Sequence, residues 1–76
     1  MQPSELDVRP LPYWQRLPPI LQAFDQLALG EAVDLVVDLD PSPLRTYFDA
    51  GRPGECDWQT LAASPITWRV RLRRVA

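Results

Sequence analysis

An alternation of apolar and other residues over positions 31–39 places the tightest limit on how this chain can fold. Val33, Leu35 and Val37 occur at every second position, a spacing that directs side chains to one face of a β-strand. A helical apolar stripe precedes this strand, and Gly30 stands where a helix C-terminal glycine belongs. The residues of the stripe are Ile20, Leu21, Phe24, Leu27 and Ala28. With a short strand over 5–9, the pattern predicts a right-handed parallel βαβ unit.

The second half of the chain predicts a further helix and two strands. The helix spans 42–50, with Leu44, Tyr47 and Phe48 on its buried face, and the strands span 55–61 and 66–73. Two helices can cover only one face of a four-stranded sheet. We therefore predict an α/β (α+β) two-layer sandwich of order βαβαββ, with a mixed sheet, both helices on one face and a polar opposite face. Residues 6–75 form the single domain, and residues 1–5 are expected to be disordered.

The amino-acid composition excludes several kinds of catalytic and metal site. The 76 residues include one cysteine, Cys56, and no histidine, so neither an internal disulfide nor a multi-cysteine metal site can form, and the usual general base is missing. No cofactor or metal is expected. The net charge of −2 gives no overall attraction to nucleic acid. Neither a membrane span nor a signal peptide is recognisable, so a cytoplasmic location is expected.

The strand-to-helix turn over 37–44 is the first candidate site. Asp38 and Asp40 follow the strand, and Arg45 lies in the next helix. A charged turn at the carboxyl end of a strand, beside a helix N-terminus, is where open α/β sheets usually hold ligands. The structural alternative is that Asp40 or Ser42 caps the helix and that Asp38 pairs with a sheet arginine.

The first loop is the second candidate, because a βαβ unit brings it to the same sheet edge. Arg9, Tyr13, Trp14 and Arg16 lie there, and arginines beside helix N-termini can bind a phosphate, carboxylate or sulfur anion. The alternative is a solvated loop in which Trp14 closes the edge of the core.

Two further groups of residues are candidates for function. The last strand carries Arg69, Arg71, Arg73 and Arg74, which could contact RNA, although the alternation sends Trp68 to the opposite face and favours ion pairs with acidic residues of the neighbouring strand. Cys56 could carry sulfur only if its thiol pKa were lowered, and Arg52 is the only nearby base.

Several short patterns now occur together in order along the chain. They are Leu6-Asp7-Val8-Arg9, Phe24-Asp25, Gly30-Glu31, Asp38-Leu39-Asp40-Pro41, Pro43-Leu44 and Trp68-Arg69-Val70. Over residues 6–74 the chain resembles the uncharacterised domain family 2249 (DUF 2249), and its wider fold resembles the TusA-like (SirA-like) sulfur carriers. The resemblance implies a bacterial protein, a final strand between strands two and three, and a setting in redox or nitrogen-oxide metabolism.

The departures from these relatives concern the reactive positions. Sulfur carriers place a persulfide-bearing cysteine where this chain has Tyr13, and a phenol cannot carry a persulfide. The resembled family often has histidines where this chain has Leu17 and Leu39. If those histidines bind metal or haem in relatives, this chain is not expected to do so.

The function expected from the sequence is therefore recognition. We expect a small non-enzymatic binding or adaptor domain that docks a protein partner or a small anionic ligand, at the edge formed by Arg9, Tyr13, Trp14, Arg16, Asp38, Asp40 and Arg45. The alternatives are a sulfur-carrier-like protein using Cys56 and an RNA-binding module using the arginine strand. Homodimerisation through an exposed third strand is a further expectation, whereas membrane and nucleic acid are not expected as partners.

Overall fold

The computed structural model describes residues 3–76, and Met1 and Gln2 lie outside the described residues. The secondary structure follows the predicted order, with one short 3₁₀ helix, Tyr13–Gln15, ahead of the first α-helix. The elements are β1 (Ser4–Asp7), α1 (Leu17–Asp25), β2 (Ala32–Val37), α2 (Ser42–Gly51), β3 (Cys56–Ala63) and β4 (Trp68–Arg74). The predicted fold class, two helices with a four-stranded mixed sheet, is confirmed.

The strand order in the sheet is β1-β2-β4-β3. Strand β1 runs parallel to β2, while β4 is antiparallel to both β2 and β3. The β1-α1-β2 segment is thus the parallel unit that the sequence predicts. The last strand lies between β2 and β3, as the resemblance to the sulfur carriers implied.

The start of the sheet requires a correction. Ser4 and Glu5 were placed in a disordered segment over residues 1–5, but they belong to β1 and pair with Val33 and Asp34 of β2. The reason is that backbone pairing with a central strand orders them, although their side chains are exposed.

The core lies between the sheet and the two helices. All six residues of β2 are buried, and Leu35, Val70 and Leu72 form the sheet side of the core. Phe24 of α1 meets Phe48 of α2 edge to face, with ring centroids 5.2 Å apart. This contact joins the two helices over the middle of the sheet, which is the arrangement of a two-layer sandwich.

Some residues expected in the core lie outside it. The predicted apolar stripe extends past α1, which ends at Asp25, and Ala28 at the end of that stripe is exposed. Ile66 was predicted to begin the apolar face of the last strand, yet it precedes β4 and is 74% exposed. The chain turns there because Ser64 N donates to Thr67 O at 2.9 Å and Thr67 N donates to the Ser64 hydroxyl at 3.1 Å. Tyr47, expected on the buried face of α2, is 44% exposed.

The opposite face of the sheet carries ion pairs between strands, one of which spans the central strand β2. Arg71 of β4 donates to both carboxylate oxygens of Asp34 in β2, at 2.7 and 3.0 Å, and Arg69 pairs with Glu5. Arg73 donates to the Gly30 carbonyl at 2.6 Å. Val36 is buried on this face too, although Asp7 and Arg69 are its strand neighbours.

Substituting Asp34 by asparagine tests the role of this ion pair. The hydrogen bonds from Arg71 hold the pKa of Asp34 below its ordinary value, so the carboxylate stabilises the fold above about pH 4 and loses this effect as the pH falls through the lowered pKa. We expect Asp34→Asn to lower the free energy of unfolding by about 1–3 kcal/mol at pH 7.

Urea denaturation measured from pH 7 down to pH 2 checks this expectation. The difference between wild type and variant should shrink in the acid range, because Asp34 is then protonated in both the folded and the unfolded chain. A difference that stays constant over that range would contradict the assigned role of the carboxylate.

Candidate functional site

The carboxyl ends of β1 and β2 lie at one edge of the sheet because the two strands are parallel. The loop that leads to α1 and the turn that leads to α2 therefore meet there, and they enclose a cleft of about 340 Å³. Most of the side chains that line it are aliphatic, aromatic or proline, and only Arg16 and Asp40 carry a charge. The cleft is therefore an apolar surface with a charged rim.

The aromatic residues of the cleft face solvent. Trp14 is 79% exposed and Tyr13 65% exposed, while Leu39 and Tyr47 on the other side of the cleft are 50% and 44% exposed. The alternative that Trp14 closes the edge of the core is thus wrong. An exposed cluster of this kind, concentrated at one place, is typical of an interaction site.

Arg16 holds the first loop in place. Its Nε donates to the Leu11 carbonyl at 2.9 Å, one terminal nitrogen donates to Asp38 at 2.6 Å, and the other reaches the Arg9 carbonyl at 3.3 Å. The hydrogen bond from Arg16 also holds the pKa of Asp38 below its ordinary value. The expected pairing of Asp38 with a sheet arginine is wrong, because Arg16 reaches it from the loop instead.

Arg9 is also engaged within the chain. Its Nε and one terminal nitrogen donate to the two oxygens of Asp7 at 2.9 and 2.7 Å. These bonds, with a third from the Arg9 backbone amide, lower the pKa of Asp7 to about 2. Arg9 does not line the cleft, so the two loop arginines do not form the open anion site that was considered.

Asp40 lies two residues before the start of α2. Its Oδ1 accepts hydrogen bonds from the Ser42 backbone amide at 2.9 Å and from the Ser42 hydroxyl at 2.7 Å, and these bonds lower its pKa. It thereby satisfies the first amide of α2. The N-cap position itself is held by Pro41 and not by Asp40 or Ser42 as the structural alternative expected. Within residues 3–76, no hydrogen bond reaches Oδ2, which leaves one charged oxygen at the rim of the cleft.

Arg45 lies on a different side of α2. It does not line the cleft, and its positive charge acts instead on the thiol of Cys56 in β3. Of the seven residues assigned to the site from sequence, the structure brings Tyr13, Trp14, Arg16 and Asp40 together around the cleft. Asp38 supports Arg16 from beside it.

Several lining residues were not assigned to a site from sequence. Leu17 and Leu39 were noted only as departures from relatives, and Leu44 and Tyr47 were assigned to the core. The sequence does contain one indication that Leu39 belongs to an exposed site. Leu39 lies between two aspartates, beyond the end of the buried strand, and a leucine in such a position is expected to be exposed.

The surroundings of Cys56 disfavour its reactive thiolate form. It is partly buried at the start of β3, and burial together with the negative charges of Asp57 and Asp49 raises its thiol pKa to about 11, against the smaller opposing effect of Arg45. Thiolate, the nucleophilic form, is therefore scarce near neutral pH.

The arginine strand is largely occupied by internal partners. Arg69 and Arg71 form ion pairs, Arg73 bonds to the Gly30 carbonyl, and Arg74 donates to the carbonyls of Asp25 and Leu27. Trp68 packs against the core, on the face opposite to the ion pairs. The last strand therefore contributes to the sheet and offers no stacking platform for bases.

The fold and the cleft together define a small α/β domain with an apolar surface at one sheet edge. The chain belongs to the family described as Uncharacterized conserved protein (DUF2249), which it matches over residues 5–74. No curated protein and no solved structure matches it. Within residues 3–76, no helix is long and apolar enough to cross a membrane.

The raised pKa of Cys56 gives a direct test of its environment. We expect iodoacetamide to alkylate the folded chain slowly at pH 8, with a rate that rises toward a midpoint at about pH 11. The urea-unfolded chain serves as the control, because its thiol should titrate near the ordinary value of about 8.5. A folded chain whose alkylation rate has its midpoint at or below that value would contradict the assignment.

Proposed function

We propose that this chain is a non-enzymatic binding or adaptor domain that docks an apolar segment of a protein partner in the cleft. The observation that carries the proposal is the exposed group formed by Tyr13, Trp14, Leu39 and Tyr47 around a preformed apolar cavity. Tyrosine and tryptophan are the side chains that most often dominate binding energy at protein interfaces.

The charge at the rim indicates the chemistry of the partner. Arg16 is bonded to Asp38, Leu11 and Arg9, whereas Asp40 keeps one carboxylate oxygen without a hydrogen bond among the described residues. A partner segment with large apolar side chains and an adjacent lysine or arginine would fill the cavity and pair with Asp40. Such a pair at an exposed rim adds specificity and a faster association rate more than affinity.

A small anion is the less favoured ligand of the same site. To bind it, Arg16 would have to leave Asp38, and Arg9 would have to leave Asp7, so each new ion pair would replace an existing one. The sulfur-carrier alternative is disfavoured by the raised pKa of Cys56, and the RNA alternative by the internal partners of the arginine strand. The TusA-like fold and the redox or nitrogen-oxide setting remain part of the proposal through the resemblance.

Peptide display against the immobilised chain tests the proposal. We expect selected peptides to contain one or two large apolar residues beside a lysine or arginine. Trp14→Ser and Leu39→Ser should each weaken binding of a selected synthetic peptide, by at least about tenfold for Trp14→Ser, because side chains of this kind act as hot spots. Asp40→Asn should weaken binding less and reduce its salt dependence.

Two other exposed apolar residues provide matched controls. Leu29 and Ile66 are 70% and 74% exposed but lie outside the cleft, so Leu29→Ser and Ile66→Ser should leave peptide affinity unchanged. Equal losses in the control and cleft variants would refute the cleft as the docking site. If no peptide is selected, and if inorganic phosphate shifts the amide NMR signals of residues 9–17, the ligand of this site is a small anion and not a protein segment.

A further inference from the structure

The outer side of β3 is a sheet edge that pairs with no other strand in residues 3–76. Strand β3 is last in the order β1-β2-β4-β3, and its one strand neighbour is β4. Over eight residues it contains a single ionisable acidic side chain, Asp57, and no proline, lysine or arginine. Natural sheets usually block such edges with charge, proline, bulges or short strand length. Of these protections, β3 has only the charge of Asp57 and the bulge that follows Thr60, so residues 56–60 form a regular edge.

The other edge of the same sheet shows those protections. Strand β1 has four residues, of which Glu5 and Asp7 are charged, and Pro3 and Pro10 lie on either side of it. The contrast between the two edges indicates that β3 is left open for pairing.

The hydrogen-bond pattern identifies which backbone groups face outward. Val75 N donates to the Glu55 carbonyl at 2.9 Å, so residue 55 is bonded to the β4 side. Because bonded and non-bonded positions alternate along an antiparallel strand, Asp57 and Gln59 are also bonded to β4. The amides and carbonyls of Cys56, Trp58 and Thr60 therefore point away from the sheet, and the bulge after Thr60 ends this regular edge.

We propose that a second copy of this chain pairs with β3 across a two-fold axis at Trp58, which joins two four-stranded sheets into one. This register sets Trp58 opposite Trp58 and Cys56 opposite Thr60, so all the outward amides and carbonyls of both copies find partners. A two-fold dimer uses the same patch on both subunits, and an antiparallel strand pair has this symmetry.

The side chains are compatible with the same register. Asp57 lies opposite Gln59 of the other copy at non-bonded positions, where side chains approach closely, and no like charges face each other.

The oligomeric state of the full chain provides the first test. Sedimentation equilibrium over a range of concentrations should show a reversible monomer–dimer equilibrium. Thr60→Pro removes an outward amide without removing a bond to β4, which edge strands tolerate, so it should weaken association by at least about tenfold while the circular dichroism spectrum stays the same. Thr60→Ala, which keeps the amide, should leave the equilibrium unchanged.

Charge changes at Gln59 test the register. Gln59→Asp should weaken the dimer and Gln59→Lys should strengthen it, each by roughly 2- to 30-fold, because the residue faces Asp57 twice in the symmetric pair. Within one chain Gln59 lies opposite Arg71, so any effect on monomer stability has the opposite sign. A chain that remains monomeric, a dimer unaffected by Thr60→Pro, or Gln59 variants with the reverse order would overturn the proposal.

Discussion

The burial of β2 on both of its faces is the constraint on which the rest of this structure depends. All six of its residues are buried: Val33, Leu35 and Val37 pack under the helices, and the other three lie on the face crossed by the β4 arginines. A carboxylate can occupy such a strand because Arg71 satisfies both oxygens of Asp34. The strand thereby fixes β1 on one side and β4 on the other, and it ends at Val37, where the two loops of the cleft meet.

Arg16 fixes the position of the loop before α1 relative to the turn before α2. It is mostly buried and ties the Leu11 carbonyl, the Arg9 carbonyl and Asp38 together. Its guanidinium thus organises the chain and is not free to grip a ligand. One consequence is that the 3₁₀ helix projects Tyr13 and Trp14 outward, so the edge that looked suited to anions from its arginines presents apolar surface instead. The family positions at which this chain has leucine, Leu17 and Leu39, add to the same apolar lining.

The fold could be predicted from sequence because its signals are local and periodic. Alternation over 31–39 placed Val33, Leu35 and Val37 on the core face, although the residues between them are buried as well. The prediction of Gly30 as the helix C-terminal glycine is wrong, because α1 ends at Asp25 and the positive φ of Gly30, 84°, belongs to the turn before β2. The site was harder, because charged side chains were assigned to function without knowledge of their partners. Arg9 is bonded to Asp7 only two residues away, a pairing within reach of sequence reasoning, but the Arg16–Asp38 bond spans 22 residues and depends on the loop geometry. The exposure of Tyr47 likewise depends on how α2 is rotated over the sheet, which helical spacing alone does not fix.

The central claim is that the apolar cleft is the surface through which this domain makes contact with other molecules. The most direct test of this claim is to add a small apolar nitroxide to the free chain and to measure how strongly it attenuates the NMR signals of methyl and indole groups. The account predicts the strongest attenuation at Trp14, Leu39 and Leu44, well above that at Leu29 and Ile66, although the last two are exposed to a similar or greater degree than Leu39. Attenuation that simply followed the exposed fraction of each side chain, with no excess at the cleft, would contradict the account.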